Sequence, residues 1–477
     1  MPLSVVQLPY FPFGGAIVLR TFTLWLRDRL IRSRSLNATR VVAASFAAII
    51  LVGTLLLTLP AASRSGQSAG LFTALFTATS STCVTGLILV DTWTQWSLLG
   101  QIVILTMIQL GGLGFMTILT LASFALRRRI GLSELLIMVS TLNLNDMDGV
   151  VRVVRHALMG TFLMEGAGAV LLAIRFVPEV GLARGIWYGI FHAVSAFCNA
   201  GFDLLGGKGG PFSSLASCND DPVVLLVAAF LVIVGGLGFF VWEDILSYCK
   251  QKKLSAYSKL VITLTALLLI GGALFFFVQE RHNPDTLGPM PLWQKALNAL
   301  FQSATLRTAG FDAIGQGGLT DSSKALCCIL MLTGGSSGST AGGIKTATVA
   351  VLLLALRAGL TGQEQVTFRR RAIPYRRVLN AMTLALVVLF LFLTASMFIS
   401  TLEGLPYLDC AYEVASAMGT AGLTCGLTPE LSSLSQGLII LLMYLGRVGI
   451  LSFSIAFITS SRRPAKLRYP EMDIMIG

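Results

Sequence analysis

Charged residues are scarce in this chain. Asp, Glu, Lys and Arg make up 12% of its 477 residues, whereas 55% are hydrophobic and the mean hydropathy is +0.78. A soluble domain carries roughly twice that share of charge. The composition therefore excludes an ordinary soluble protein and indicates a polytopic membrane protein.

Groups that do enzyme chemistry are also few. The three histidines, His156, His192 and His282, lie at a basic end, in a short apolar segment and in a loop. An intramembrane protease needs a Ser–His pair or two aspartates within the membrane. The eight cysteines lack metal-ligand spacing, although a disulfide at Cys218 stays open. We expect no enzyme, no catalytic residue and no bound metal, and keep an intramembrane protease as a distant alternative.

Long apolar stretches are abundant. Each is long enough to cross a hydrocarbon layer of about 30 Å as a helix, which predicts eight spans. The stretches lie at about 41–60, 98–126, 153–177, 222–248, 258–278, 325–357, 378–402 and 434–460.

The positive charge is concentrated at alternate ends of these stretches. The net charge is +12, and 25 of the 35 Lys and Arg lie in five segments: 20–40, 127–155, 250–259, 357–377 and 462–468. Basic loops stay on the cytoplasmic side of a membrane. We therefore expect both termini in the cytoplasm. The N-terminal segment lacks signal-peptide order and is an interfacial helix or a frayed tail.

A short motif recurs at a regular interval. A small-residue run that ends in Gly and a bulky apolar residue occurs as CVTGL, CNAGF, RTAGF and GTAGL. Its glycines are Gly86, Gly201, Gly310 and Gly422, which are separated by 115, 109 and 112 residues. A period this steady indicates an internal repeat of about two membrane helices with something between them.

The element between the long stretches is a short apolar segment. These segments, at 71–82, 186–197, 293–304 and 408–419, have helical character but cannot cross a bilayer. Aligned on the glycines, position −6 holds Ser80, Ser195, Ala304 and Ser416, and position −10 holds Phe76, Phe191, Leu300 and Tyr412. Non-helical backbone at membrane depth needs cover from protein or water. We therefore expect four half-helices and loops around one shared cavity.

The residues of these loops suit a ring of backbone carbonyls. Glycine adopts positive φ without strain, and carbonyl rings replace the hydration shell of a monovalent cation. Asp91, Asp203 and Asp312 follow closely and would attract cations. The expected filter residues are Val84, Thr85, Gly86, Asn199, Ala200, Gly201, Thr308, Ala309, Gly310, Thr420, Ala421 and Gly422.

With these four motifs the chain resembles the Trk, Ktr and HKT superfamily of potassium transporters, and most closely its KtrB-type membrane subunits. The resemblance covers residues 41–460 and implies an all-α membrane protein with four membrane–pore-loop–membrane repeats around one pseudo-fourfold pore. It also implies that the four glycines form a potassium filter. Some plant relatives have serine at the first position and favour sodium, whereas this chain has Gly86. A sodium-permeable or sodium-coupled transporter is the alternative.

The repeats predict the domain boundaries. A cytoplasmic N-terminal segment (1–40) precedes repeat one (41–128), repeat two (129–255), repeat three (256–370) and repeat four (371–461), and a cytoplasmic tail (462–477) follows.

Repeat three contains a polar interruption, TGGSSGSTAGGIKTAT, at 333–348. All of it except Ile344 and Lys345 is Gly, Ser, Thr or Ala, so a continuous helix is not expected there. Ile344 also breaks the pattern of a phosphate loop. The resemblance implies an intramembrane gate. The gate residues are Gly334, Gly335, Ser336, Ser337, Gly338, Ser339, Thr340, Ala341, Gly342, Gly343, Lys345 and Arg447.

Ionisable residues at membrane depth are functional candidates. Arg447 matches a basic position that the family points into its pore, whereas Lys345 either acts in the gate or extends to the cytoplasmic edge. We expect Glu165 to pair with a neighbouring helix and Arg307 to brace its own loop.

The resemblance also implies partners and ligands. It predicts a homodimer and a cytosolic KtrA-type ring of nucleotide-binding subunits at the basic face. The expected ligands are potassium in the filter and sodium as a coupling or activating ion, with no covalent cofactor and no nucleic acid.

Overall fold

The computed structural model describes residues 38–114 and 150–449. The predicted cytoplasmic segment 1–40 lies, apart from its last three residues, outside this part of the chain. The tail 462–477 and most of the basic segment 127–155 lie outside it as well.

One order of helices occurs four times in the described residues. Each repeat has a long outer helix, a short helix, a loop with the repeat glycine, and an inner helix. The outer helices are Ala38–Leu57, Val150–Val180, Ala256–Glu280 and Tyr375–Glu403. The short helices are Leu71–Cys83, Leu182–Phe197, Leu292–Thr305 and Tyr407–Gly419. The inner helices are Leu98–Leu113, Pro222–Leu237, Asp321–Leu332 and Ser433–Val448.

The remaining elements connect these units. Helices Phe239–Gln251 and Thr346–Leu360 continue the inner helices of repeats two and three. Strands Thr367–Phe368 and Arg371–Ala372 form an antiparallel hairpin. Short helical turns lie at Pro60–Ala62, Thr92–Gln95, Gly206–Gly209, Ser214–Cys218 and Gln316–Gly318.

The outer helices have the length and composition of membrane spans. Four helices of the described residues meet that test, namely Arg40–Leu57, Arg155–Val180, Ala256–Glu280 and Tyr375–Glu403. Large apolar side chains on them are exposed, such as Leu163 at 69%, Leu386 at 67% and Phe390 at 66%. Because polar groups are buried while these apolar side chains face outward, the outer surface of the helices is suited to contact with lipid.

The short helices form the centre of the molecule. Their observed ends lie within four residues of the predicted segments, so these predictions are confirmed. Phe76, Phe191 and Tyr412 at the predicted equivalent position are all fully buried. In repeat three the alignment is wrong by one residue, because Phe301 rather than Leu300 is the fully buried side chain.

Each inner helix begins at a side chain that caps it. Backbone N–H groups in the first turn of a helix have no acceptor within the helix. The side-chain oxygen of the capping residue accepts a hydrogen bond from one of them. The four caps are Ser97, Asp221, Thr320 and Ser432. The chain therefore enters the inner helix in the same way in every repeat.

The inner helices are shorter than the predicted stretches. Three of them end at a glycine with positive φ: Gly114 at 77°, Gly238 at 89° and Gly449 at 92°. At Gly238 the next helix turns away by 96°. The sequence predicted only close helix contact for GGLGF at 111–115 and 235–239. It missed that a left-handed glycine also ends each helix.

Close contact at these glycines is nonetheless confirmed. A Cβ atom added to Gly111 would lie 1.9 Å from the carbonyl oxygen of Thr82, and one added to Gly235 would lie 2.0 Å from that of Phe197. Both carbonyls belong to the last turn of a short helix. The inner helix therefore passes directly against the end of the short helix, where a side chain has no room.

Candidate functional site

The four loops that follow the short helices share one backbone conformation. We call residues 84–86, 199–201, 308–310 and 420–422 the glycine loops. In each, the first residue and the glycine have positive φ: Val84 57° and Gly86 92°, Asn199 61° and Gly201 71°, Thr308 67° and Gly310 84°, Thr420 53° and Gly422 85°. Positive φ at the glycines was predicted and is confirmed. Positive φ at the first residues was not, because β-branched residues rarely adopt it.

The glycine loops converge into a closed ring. A Cβ atom on Gly86 would lie 2.5 Å from the carbonyl oxygen of Ala200, and one on Gly201 would lie 2.8 Å from that of Ala309. The same distance is 2.7 Å from Gly310 to Ala421 and 2.2 Å from Gly422 to Thr85. Each loop therefore contacts the next in the order one, two, three, four and back to one.

Glycine is required in this ring for two reasons. Its positive φ is strained for any other residue, and its missing side chain leaves space for the neighbouring carbonyl. A Cβ atom on Gly310 would also lie 3.0 Å from the Cα of Gly201 and 3.2 Å from that of Gly422. The four glycines thus surround one axis at contact distance.

Hydrogen bonds from the short helices hold the loops in place. The amide N–H that precedes the glycine donates to a carbonyl in the last turns of the short helix, over distances of 2.7–2.9 Å. The pairs are Thr85 to Ser80, Ala200 to Ser195, Ala309 to Thr305, and Ala421 to Ser416.

Side-chain hydroxyls add to this support. Ser80 accepts from the Gly86 N–H at 3.0 Å, and Ser195 donates to the carbonyl of Phe202 at 2.7 Å. In repeat three Thr305 donates to Phe311 at 2.8 Å, so it takes the place that the sequence alignment gave to Ala304. A hydroxyl therefore supports the loop in repeats one to three, including repeat three, where the alignment is off by one residue.

Several oxygen atoms around the ring have no protein partner. The hydroxyls of Thr85, Thr308, Thr420 and Ser416 are buried and accept or donate no hydrogen bond within the described part of the chain. An unsatisfied buried hydroxyl is costly. The sequence pointed to backbone carbonyls here and missed these side-chain oxygens.

The three aspartates beyond the ring bond to backbone. Asp91 accepts from Thr94 and Phe212, Asp203 accepts from Leu205, and Asp312 accepts from residues 314–316. They therefore fix the loops that follow the ring, in addition to placing negative charge beside it.

The polar interruption of repeat three lies against the ring. We call residues 333–345, between the helices Asp321–Leu332 and Thr346–Leu360, the polar segment. The absence of a continuous helix there was predicted and is confirmed. A Cβ atom on Gly342 would lie 2.1 Å from the hydroxyl of Thr420, so the segment packs directly against glycine loop four.

Two ends of the polar segment are joined to each other. Thr333 and Ile344 form a parallel bridge, in which Gly334 N–H donates to the Ile344 carbonyl at 2.9 Å. The segment also bonds to repeat two, where Ser336 N–H donates to Gly236 O at 2.9 Å. It is thus a compact loop that returns the chain to the start of Thr346–Leu360.

Arg447 crosses from repeat four to two other repeats. Its guanidinium donates to the Thr340 carbonyl in the polar segment and to the carbonyls of Gly111 and Gly112 in repeat one. Lys345 donates through Nζ to the carbonyl of Ala341 at 2.7 Å, so its side chain folds back on its own segment. Both predicted gate cations therefore lie at the polar segment.

Two further ionisable residues lie behind the loops. Arg307 donates to the hydroxyl of Thr346 at 3.2 Å, so it braces loop three against the end of the polar segment. Glu165 is 5% exposed, accepts from the Gln109 amide at 3.1 Å and accepts from the Cys198 thiol at 3.7 Å. The predicted pairing of Glu165 with a neighbouring helix is confirmed.

Groups for enzyme chemistry do not come together in the described residues. His192 bonds to the Tyr188 carbonyl and accepts from Leu204 N–H, while His156 pairs with Glu243. Residues 334–338, GGSSG, formally match a GxSxG pattern, but these two histidines are engaged elsewhere. No cluster of three metal-ligating side chains occurs in 38–114 or 150–449.

Comparison with known families supplies the identity. The sequence model of the family TrkH, described as cation transport protein, matches residues 13–465. The chain belongs to the TrkH family of cation transport proteins. This family consists of transporters and not of enzymes, and the resemblance to the Trk, Ktr and HKT superfamily is confirmed.

Relatives of this TrkH-family chain match it over nearly its whole length. Potassium/sodium uptake protein NtpJ of Enterococcus hirae is 43% identical over 95% of this chain and 100% of its own. Ktr system potassium uptake protein B of Bacillus subtilis is 37% identical over 94% of this chain and 99% of its own. The crystal structure of the potassium transporter TrkH from Vibrio parahaemolyticus shares the fold, with a TM-score of 0.69 at 16% identity, covering 93% and 91% of the two chains.

The TrkH-family fold and the apolar outer helices together make this a multi-pass membrane protein. Within it, sequence reasoning found the glycine loops, the polar segment, Lys345 and Arg447. It gave Asn199 and Thr340 no role beyond their loops, although their side chains contact each other at 3.2 Å. The sequence signal for Asn199 was available, since it is the one amide at a position where the other loops have Val or Thr.

Proposed function

We propose that this chain is the potassium-translocating membrane subunit of a bacterial potassium uptake system. The observation that carries the proposal is the closed ring of four glycine loops, where carbonyl oxygens of successive repeats approach one axis. Rings of carbonyl oxygens replace the water around a monovalent cation. The names of the relatives, which are potassium uptake proteins, support potassium as the ion.

In this proposal the twelve residues of the glycine loops form the selectivity filter. Short helices end at the ring, so their negative dipole ends favour a cation there. Glycine at all four positions keeps the carbonyls in register, and the unpartnered hydroxyls of Thr85, Thr308 and Thr420 supply additional oxygen ligands or water contacts. Potassium occupies the ring, and no other cofactor is needed.

The proposed topology has eight spans and four pore half-helices. The outer helices and the inner helices with their continuations cross the membrane, while the short helices enter it and return. The basic segments then face the cytoplasm with both termini, in the inner membrane of a bacterium. The pseudo-fourfold order of the described helices supports this arrangement.

We propose that the polar segment is the gate. It packs against glycine loop four, and Arg447 and Lys345 place positive charge next to it. Residues 334–343 have few apolar side chains to fix them, so the segment can move aside at low cost. In this proposal its position against glycine loop four closes the path below the ring.

Regulation in this proposal comes from a separate chain. Two relatives are named as parts of a Ktr system, which supports a partner subunit. A cytosolic KtrA-type ring with bound nucleotide would attach to the basic cytoplasmic face and act on the polar segment. The membrane subunit is proposed to be a homodimer in which each protomer keeps its own pore.

A sodium-linked function is the second candidate. The Enterococcus relative is named a potassium/sodium uptake protein. Sodium would then accompany potassium or activate its uptake. The glycine loops serve both candidates, so the ion requirement separates them.

Uptake in cells tests the proposal. Bacteria that lack their own potassium systems would express this chain together with a KtrA-type subunit, and the initial uptake of potassium and of sodium would be measured. We expect growth at low potassium and a potassium preference of about tenfold or more, equal to about 1.4 kcal/mol. Potassium uptake that requires external sodium supports the second candidate. A protein present in the membrane that takes up neither ion contradicts both.

A further inference from the structure

Thr340, in the middle of the polar segment, uses all of its polar groups. Its N–H donates to the Gly235 carbonyl at 3.3 Å, and its carbonyl accepts from Arg447. Its hydroxyl donates toward two acceptors of repeat two, the carbonyl oxygen of Phe197 at 3.1 Å and Oδ1 of Asn199 at 3.2 Å, which share its single hydrogen. The side chain is fully buried. Thr340 therefore connects the polar segment to repeats two and four at once.

Asn199 is the residue of the ring that receives this contact. It is the first residue of glycine loop two, and its φ of 61° is one that asparagine tolerates. Its Oδ1 accepts from Thr340, and its Nδ2 donates to the carbonyl of Arg307 at 3.4 Å. Arg307 directly precedes glycine loop three. One buried amide thus joins loop two, loop three and the polar segment.

The backbone alone does not require an amide at this position. Val84, Thr308 and Thr420 occupy the equivalent positions with φ between 53° and 67°. The amide of Asn199 is therefore explained by what it bonds to and not by the turn it occupies.

A second link runs in parallel with the first. The guanidinium of Arg307 donates to the hydroxyl of Thr346 at 3.2 Å, and that hydroxyl donates to the carbonyl of Gly334 at 3.0 Å. Thr346 begins the helix that follows the polar segment. Loop three is thus tied to both ends of the segment, because Gly334 lies near its start.

On the side of repeats one and four, the polar segment is held by Arg447. Arg447 bonds to backbone carbonyls of the polar segment and of the repeat-one inner helix. These bonds hold the segment without contacting a residue of the glycine loops. The segment is therefore hydrogen-bonded to glycine loop two through Asn199. On the side of repeats one and four it is hydrogen-bonded to Arg447 and packs against glycine loop four through Gly342.

We propose that Asn199 and Thr340 couple the position of the polar segment to the selectivity of the ring. While the segment lies as it does here, the Asn199 amide holds loops two and three together at the inner end of the ring. The segment frees the path by moving on the side of Arg447 and glycine loop four, and it keeps the bond between Thr340 and Asn199 while ions pass. Where that bond is absent, the two loops separate more easily and the ring discriminates less between potassium and sodium. Asn199 is a positioning residue in this scheme, since it acts through the backbone of loop three. The inference rests on the proposed function and specifies how gate and filter communicate.

Replacement of the Thr340 hydroxyl tests the coupling. Thr340→Val removes the hydroxyl at constant shape, and Thr340→Ser restores it. One buried hydrogen bond corresponds to a factor of about five in an equilibrium, so we expect Thr340→Val to lower the potassium-to-sodium uptake ratio about fivefold. Thr340→Ser should recover most of the ratio. Thr394→Val is the matched control, because that hydroxyl bonds within an outer helix and is exposed to the exterior.

A double-mutant cycle separates coupling from two independent effects. Asn199→Gly removes the amide without strain, since glycine accepts a φ of 61°. If Thr340 acts through Asn199, the double variant Thr340→Val/Asn199→Gly should be no less selective than Asn199→Gly alone. Ratios that multiply as for independent sites would overturn the proposal, as would a Thr340→Val variant with raised flux and unchanged ratio.

The same measurements distinguish the coupling from the proposed function. A wild-type protein that does not take up potassium contradicts the proposed function itself. A selective wild type whose Thr340→Val variant is equally selective contradicts the coupling alone. Size-exclusion profiles of the purified variants verify assembly, and Thr340→Ser reports on the hydroxyl even where Asn199→Gly fails to assemble.

Discussion

The glycine loops and the polar segment lie in contact but are built in different ways. The loops occur four times, and amide-to-carbonyl bonds from the short helices hold each of them. The polar segment occurs in repeat three, and bonds from repeats two and four hold it, among them those of Arg447 and Asn199. The ring thus depends on its own backbone, whereas the segment depends on its neighbours.

This difference separates two kinds of conformational freedom. Local backbone hydrogen bonds fix the shape of each single glycine loop. The Asn199 amide adds a link between loops two and three and the polar segment. The polar segment is rich in glycine and serine and is held by hydrogen bonds to other repeats, such as those of Ser336 and Thr340 to repeat two, so it opens at a lower free energy than the ring. We therefore expect substitutions of the ring glycines to change which ion passes, and most substitutions in the segment to change how much passes. Thr340 is the exception, because its hydroxyl bonds to Asn199 of glycine loop two.

The largest effect is expected at the ring glycines. Gly86→Ser and Gly310→Ser each place a side chain where φ is positive and a carbonyl lies within 3 Å. Strain of about 1–3 kcal/mol turns that carbonyl away from the axis, so the potassium preference should fall about tenfold or more. Uptake of potassium and sodium at equal concentrations measures it.

Gly426→Ser is the matched control for these variants. Its φ of 95° is equally strained, but nothing lies within 4 Å of an added Cβ atom. It should lower stability without changing selectivity. If Gly86→Ser and Gly310→Ser assemble and keep the wild-type preference, the ring is not the filter.

A deletion in the polar segment comes next. Removing residues 338–341 takes away Thr340 and its bond to Arg447. We expect higher potassium uptake without the regulatory partner, and loss of the response to the partner and its nucleotide. Uptake measured with and without the partner checks this. Normal regulation of the deletion variant would place the gate elsewhere.

A smaller effect is expected for Arg447→Gln. A positive charge at roughly 4 Å repels a passing cation by about 1–4 kcal/mol, depending on how much water is present. Removing it should raise the flux, while Arg447→Lys keeps the charge and should stay closer to wild type. Assembled Arg447→Gln protein without any transport would instead make this residue a structural support.

The smallest effect concerns another segment that occurs once, residues 204–221, which connect glycine loop two to the inner helix of repeat two. Burial raises the pKa of the Cys218 thiol, and Lys208 lies 3.6 Å from its sulfur. Because the thiolate is the reactive form, maleimide labelling of Cys218 should be slow at pH 8 and should rise with further increase in pH. Fast labelling of Cys218 at pH 8 would mean that residues 204–221 move as well.

A cysteine introduced in place of half-buried Ser337, in the polar segment, should be labelled faster when the partner opens the gate.

The repeated parts of the fold were predictable from sequence because their signals were repeated. Four glycines at steady spacing and four short apolar segments predicted the ends of the short helices to within four residues. The alignment placed Leu300 where Phe301 belongs, because aligning the repeats on their glycines assumes that the turn between short helix and glycine has the same length in all of them. In repeat three the Ala309 amide bonds to Thr305, four residues back, whereas the equivalent amides of the other repeats reach five residues back.

The parts that occur once were only partly predictable. Composition predicted a non-helical segment at 333–348. The carbonyls to which Arg447 donates could not be predicted, because they depend on how the four repeats pack together. The left-handed conformation of Val84, Thr308 and Thr420 runs against the preference of β-branched residues. The packing of the ring imposes this conformation, and no local sequence pattern predicts it.

The contact between the first and last glycine loops has a consequence for how the protein is made. Thr85 and Gly422 close the ring, and the Tyr444 hydroxyl donates to the carbonyl of Ala43 at 2.7 Å. These partners are more than three hundred residues apart in the chain. Until repeat four has been synthesised, glycine loops one and three lack the neighbour that covers them in the complete protein. Repeat four therefore completes the ring, and a chain that stops before it has three of the four glycine loops.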